Sequence, residues 1–143
     1  MKPTLAMETN RSMPVTQVIP ELNYPDVAIA ASWLARAFGF ETRLQIGGHR
    51  IQMVYGSGAI IVREGPVSAE AAGTHAVMVR VANVDAHYAR AMTAGAKLSG
   101  PPQTFPFGER QYGARDLAGH AWVFSQTVED VDPAAWGGQV PGS

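Results

Sequence analysis

Apolar and polar positions change period along this chain in an order that occurs twice. From Gln17 to Tyr24 they alternate as in a half-buried strand, and Pro25-Asp26 then opens an Ala-rich apolar stretch through Phe38. Asp26 as N-cap and Gly39 as stop predict a helix of about three turns, with Ile29, Trp33, Leu34 and Ala37 on its buried face. Three short strands follow, Glu41–Ile46, Arg50–Tyr55 and Ala59–Arg63, separated by Gly47-Gly48 and Gly56-Ser57-Gly58.

The order then restarts. Thr74 to Ala82 reads as a strand, and Asn83 opens a second Ala-rich helix that ends near Gly95. Lys97-Leu98 starts a short strand, Pro101-Pro102 marks a loop, and Arg110–Arg115 and His120–Ser125 form a hairpin around an Asp-Leu-Ala-Gly turn. Asp26-Val27 through Gly39 can be laid on Asn83-Val84 through Gly95 with one residue deleted, and Trp33-Leu34-Ala35-Arg36-Ala37 then falls on Tyr88-Ala89-Arg90-Ala91. An internal repeat of a βαβββ unit, hence an α+β chain, is the architecture this predicts.

Composition narrows the class. With 143 residues, 46% of them hydrophobic and 16% charged, the chain has material for one core, expected over residues 15–127. Residues 1–14 lack a period and predict a mobile arm; residues 128–143, rich in Pro and Gly, predict a tail whose Trp136 docks on the body or on a partner subunit. A formal charge of -1 without basic clusters disfavours nucleic acid. The absence of cysteine excludes disulfides and thiolate chemistry. No apolar run suits a membrane span or a signal peptide, so a cytoplasmic protein is expected.

Several segments together carry a resemblance: Pro20-x-Leu22 with Asp26, Ala37-Phe38-Gly39-Phe40, Val84-Asp85-Ala86 with Arg90-Ala91, Ala94-Gly95-Ala96, Gly108-Glu109-Arg110, and Arg115-Asp116 followed by Gly119-His120-Ala121-Trp122. In these the chain resembles the glyoxalase/bleomycin-resistance/dioxygenase (vicinal oxygen chelate) superfamily, from about Val18 to Gln126. The resemblance implies two βαβββ modules forming a curved mixed sheet around a small-molecule cavity, helices on the outer face, and a homodimer. It also implies where the superfamily's enzymes hold a divalent metal: an early residue of each module's first strand and a carboxylate on each last strand. Those positions fall on Ile19, near Ile61, on Ala76 and on Val123, none of which can ligate. Glu64 is the carboxylate nearest Ile61, and His75 lies one residue from Ala76, where strand alternation turns it to the opposite face unless a bulge intervenes. No cofactor is therefore expected, and His75 and Glu64 are the remaining metal candidates.

Strand parity supplies the other candidates. With Val77, Val79 and Val81 towards the helices, Ala76, Met78 and Arg80 face the cavity; with Leu22 in the core, Ile19, Glu21 and Asn23 face it too. Gln52, Arg63, Arg110, Tyr112 and Val123 complete the expected ligand-binding set. Arg80 can clamp a carboxylate, and Glu21 can act as a base or neutralise Arg80. Arg110 and Arg115 can instead brace the hairpin, with Arg115-Asp116 as a turn-stabilising pair. Trp33, Trp122 and Phe124 are core residues, His120 ties the turn, and His49 and His87 have no partner at ligand spacing. Three functions fit: a protein that holds a small organic, drug-like or metabolic molecule without the usual metal; a divalent-metal lyase or isomerase; and a metal-free enzyme using Glu21 and Arg80.

Overall fold

The structure, a computed structural model, describes residues 7–142. Its first module is β1 (Glu21–Tyr24), α1 (Val27–Phe38), β2 (Glu41–Ile46), β3 (Arg50–Tyr55) and β4 (Gly58–Glu64). A one-turn helix, α2 (Ala69–Ala72), leads into the second: β5 (Ala76–Arg80), α3 (Val84–Thr93), the short β6 (Lys97–Leu98) and β7 (Gln103–Thr104), β8 (Glu109–Arg115) and β9 (Ala121–Thr127). A 3-10 turn, Pro133–Trp136, closes the chain.

Each module builds its own mixed sheet. The first has strand order β1-β4-β3-β2 and the second β5-β9-β8-β6, with β7 also pairing β8, so β6 and β7 together stand where β2 stands. β1 pairs β4 and β5 pairs β9 in parallel, while the hairpins are antiparallel. The sheets do not close into a barrel.

The repeated helix starts work as the sequence implies. The side chains of Asp26 and Asn83 accept from the amides of Ile29 and Ala86, and each helix stops near a glycine at φ 85°, Gly39 and Gly95. The buried face of α1 differs from the expected one at a single position. Ile29 is 59% exposed, because the stripe runs instead through Val27, Ala30, Ala31, Trp33, Leu34, Ala37 and Phe38, where alanines let the helix lie close.

Both modules share one core. Phe38 of α1 lies 5.3 Å from Trp122 and 4.7 Å from Phe124, ring centre to ring centre, so a first-module ring is packed against second-module strands. Polar ties reinforce the junction. Trp33 Nε1 donates to the Ala94 carbonyl at 2.8 Å, and Arg90 of α3 donates to the Arg36 and Ala35 carbonyls at the end of α1. The Asp116 carboxylate, 3% exposed, accepts from Tyr24 Oη at 2.5 Å, Trp122 Nε1 at 3.1 Å and the amides of Ala118 and His120. Asp116 thus binds β1 as well as its own turn, while Arg115 donates to the Gly119 carbonyl. The two residues brace the hairpin through separate partners.

His87, which the sequence leaves without a partner, is buried with Nδ1 2.5 Å from Tyr112 Oη and Nε2 2.9 Å from the Phe38 carbonyl. Burial holds its pKa below the ordinary 6.5. A base whose folded pKa is lowered keeps its full stabilising share above the unfolded value and loses it as pH falls from there towards the folded value. Stability measured by urea unfolding is therefore expected to fall from about pH 6.5 downward, by at most ~1.4 kcal/mol per pH unit. A His87→Gln variant should lack this slope; an unchanged slope would assign it to other groups.

Candidate functional site

The helices cover one face of each sheet, and register decides what remains on the other. In the first sheet Glu21, Ile61, Gln52 and Leu44 lie in one cross-strand row, and Asn23, Arg63 and Arg50 in the next. Ile19, half-buried just before β1, has the parity of Glu21. Ile19, Glu21, Asn23, Gln52 and Arg63 are thus brought to one surface, but its polar groups are occupied. Glu21 binds Arg50 at 2.7 Å and Arg63 at 3.4 Å, and Asn23 Oδ1 accepts from Arg63 Nε at 2.6 Å.

The rest of that face is covered. Gln52, 2% exposed, accepts from Arg43 Nη1 at 2.6 Å and donates to the Ser12 carbonyl at 2.7 Å, while Arg43 also donates to the Arg11 carbonyl and Pro14 is buried. Of the segment expected as an arm, residues 1–6 lie outside the described residues; residues 11–14 lie across the first sheet.

The second sheet keeps its open face. Its middle row runs Gln103, Gln111, Ser125 and Arg80; beside it Gly113, Val123 and Met78 form an apolar row, and Glu109 stands opposite Thr127. Over the middle lies a trough of about 360 Å³ bounded by Ser99, Pro101, Gln103, Phe105, Gln111 and Val123. It continues over Gly113, Arg115 and Ala121. The floor is low because Gly113 and Ala121 carry little side chain. A Cβ on Gly113 would stand 2.7 Å from Ser99 Oγ.

Beside the trough the same face is polar and ordered. Ser125 Oγ donates to Glu109 Oε1 at 2.7 Å, Gln111 Nε2 donates to Ser125 Oγ at 3.0 Å, and Arg80 Nη2 donates to Thr127 Oγ1 at 2.9 Å. Hydrogen bonds from Thr127 and Ser125, helped by the Arg80 charge, hold the Glu109 carboxyl below its usual range. Glu109 is therefore an acceptor for a ligand's hydroxyl or amide hydrogen, and a poor proton donor. At the far rim Phe105 stacks on Phe107 at 5.4 Å and Trp136 tilts onto Phe107 at 5.5 Å, which docks the tail on the body.

Several sequence expectations are rearranged. Glu21 and Arg80 stand on different sheets and do not meet; Arg50 and Arg63 neutralise Glu21 instead. Arg110 and Tyr112 face the helices rather than the cavity, because Tyr112 stands opposite Phe124 in the ladder. Arg110 holds Asp85 of α3 at 3.0 Å, and Tyr112 is 4% exposed. Glu109, Gln111, Ser125 and Thr127, not singled out from the sequence, share the open face with Met78, Arg80 and Val123. Their signal was present as parity: once Phe124 is core, its ladder partner Tyr112 is core, and Glu109, Gln111 and Gly113 must point the other way.

Comparison with known proteins accords with this fold. A sequence model of the Glyoxalase/Bleomycin resistance protein/Dioxygenase superfamily matches residues 16–124. The chain belongs to this superfamily. Among solved structures it is similar to TioX from Micromonospora sp. ML1, with 36% identity over 82% of this chain and 100% of that one and a TM-score of 0.65. It is also similar to a glyoxalase/bleomycin resistance protein/dioxygenase from Nocardioides, at 15% identity, 87% and 89% coverage and a TM-score of 0.65. A lactoylglutathione lyase from Agrobacterium tumefaciens matches at 17% identity, 79% and 94% coverage and a TM-score of 0.60, a likeness of fold. No curated protein matches the chain.

The positions that the resemblance assigns to the divalent metal of superfamily enzymes carry side chains here that do not suit one. Ile61 occupies its place beside Glu21 and Gln52, Val123 its place between Met78 and Gly113, and Ala76 is a methyl group. Among the described residues no three His, Asp or Glu side chains gather to bind a metal. Glu64, at the exposed end of β4, has the parity of Val62 and Tyr24's side of the sheet, away from the open face. His75 likewise turns off that face, towards His120.

Proposed function

We propose that this superfamily member binds a small organic molecule in the trough on the open face of its second sheet, without the superfamily's usual metal site. The observation that carries this reading is the replacement of ligand-capable side chains by Ile61, Ala76 and Val123 on faces whose neighbours still form a shaped, partly apolar trough. In the trough Val123 and Gly113 supply apolar contact and Gln103 and Gln111 supply hydrogen bonds; Met78, Glu109 and Arg80 lie on the same face beyond it, where Arg80 can meet the anionic substituent of a longer ligand. The first sheet's face, with its polar groups paired and residues 11–14 across it, is not the binding surface in this chain.

Binding as a homodimer belongs to the same reading. β5 is an edge of the second sheet, with no strand on its outer side among the described residues, and Met78 on it is 60% exposed, beside Val18 at 80%. An apolar edge of this kind calls for cover, and a second copy supplies it. No helix is long and apolar enough to cross a membrane; a cytoplasmic setting is part of the proposal and accords with a cysteine-free chain.

The test is a thermal-shift screen with small carboxylic acids and neutral aromatic compounds. Compounds that raise the melting temperature should lose the effect in Val123→Trp, which fills the trough, and acidic ones should lose most of it in Arg80→Ala. Shifts that survive Val123→Trp would place binding elsewhere.

A further inference from the structure

A second and smaller cavity, about 160 Å³, lies where the two modules meet, bounded by Asn23 and Arg63 of the first sheet, Ser68 before α2, and His75 and His120 of the second module. His120 is 7% exposed, and its Nδ1 is a buried polar atom without a hydrogen-bond partner. Its other nitrogen decides its chemistry. Nε2 lies 2.7 Å from the Asn23 carbonyl, which can only accept, so Nε2 is the donor and Nδ1 is the nitrogen left to bind an occupant. A buried lone pair left without a donor is costly, and such a site calls for an occupant.

The hydrogen bonding of His120 suits a metal ion with affinity for imidazole. A metal-binding histidine usually donates its remaining N–H to a carbonyl or carboxylate, which fixes ring and tautomer, and the Asn23 carbonyl already does this for His120. The exposed His75 ring stands 6.3 Å from His120, centre to centre. With metal–nitrogen distances of ~2.0–2.1 Å, rotation of His75 about its side-chain bonds brings a second nitrogen to the same ion. The nearby carboxylate of Glu21 is held by Arg50 and Arg63, so water completes the coordination.

We infer that His75 and His120 form a two-histidine site for a divalent transition metal at the module junction, separate from the open-face trough and from the superfamily's metal positions. Two imidazoles and water favour Cu²⁺ over Ni²⁺ and Ni²⁺ over Co²⁺. Because the donors lie just before β5 and β9 of the second module while Asn23 of β1 orients one of them from the first, a bound ion stabilises the folded chain.

The test uses the full chain, freed of metal and titrated with CuCl2 and with NiCl2 by calorimetry, with the Cu²⁺ form examined by electron paramagnetic resonance. One saturable Cu²⁺ per chain is expected, with nitrogen couplings from two imidazoles and a rise in melting temperature, all lost in His75→Ala and all kept in His49→Ala. His75 is exposed, so that variant folds even if one at His120 does not. Absence of saturable binding, or binding and a thermal shift that persist in His75→Ala, would overturn the site.

Discussion

Replacing Asp116 by alanine is expected to destabilise the protein by about 3–5 kcal/mol, enough to lower the melting temperature by more than ~10 °C. The cause is the number of partners that one carboxylate satisfies. Tyr24 Oη, Trp122 Nε1 and the amides of Ala118 and His120 all donate to it, and in a site 3% exposed no water replaces it for all four. Each stranded donor costs ~1–3 kcal/mol, an amount only partly offset by no longer burying a charge. Tyr24→Phe removes a single partner and should cost ~1–2 kcal/mol. Chemical denaturation of both variants tests this, and equal small losses would show that water enters the site.

Phe38→Ala is expected to cost about as much, ~3–5 kcal/mol, through packing instead of hydrogen bonding. Its ring is fully buried and lies within ring-stacking range of Trp33, His87, Trp122 and Phe124, so the cavity left behind opens between modules. The backbone carbonyl that holds His87 remains, which separates packing from polar loss. Unfolding followed by tryptophan fluorescence should show the reduced stability. A loss below ~1 kcal/mol would mean that the two modules are held chiefly by their polar ties.

Local signals gave the modules and caps, and they did so for a local reason. Asp26 and Asn83 reach amides three residues ahead, and Gly39 and Gly95 take positive φ within the same turn, so neither depends on distant chain. The site was harder to read. Parity placed Met78, Arg80 and Val123 on the open face, but choosing Arg110 and Tyr112 over Glu109 and Gln111 required the β8–β9 register, which pairs Tyr112 with Phe124. The Glu21–Arg80 pairing failed because charges on separate sheets find whichever partners stand on neighbouring strands, here Arg50 and Arg63.

By itself the sequence determined the twofold βαβββ plan, the helix ends and the superfamily, because period, capping and motif act within a few residues of chain. Only the tertiary structure decided that Asp116 fastens β1, that His87 joins α1 to β8, that one open face is covered and the other free, and that the closing hairpin turns Glu109 and Ser125 outward. Those facts depend on which strands become neighbours across 14 to 92 residues of sequence, and alternation along a strand states that two faces exist without stating what each will meet.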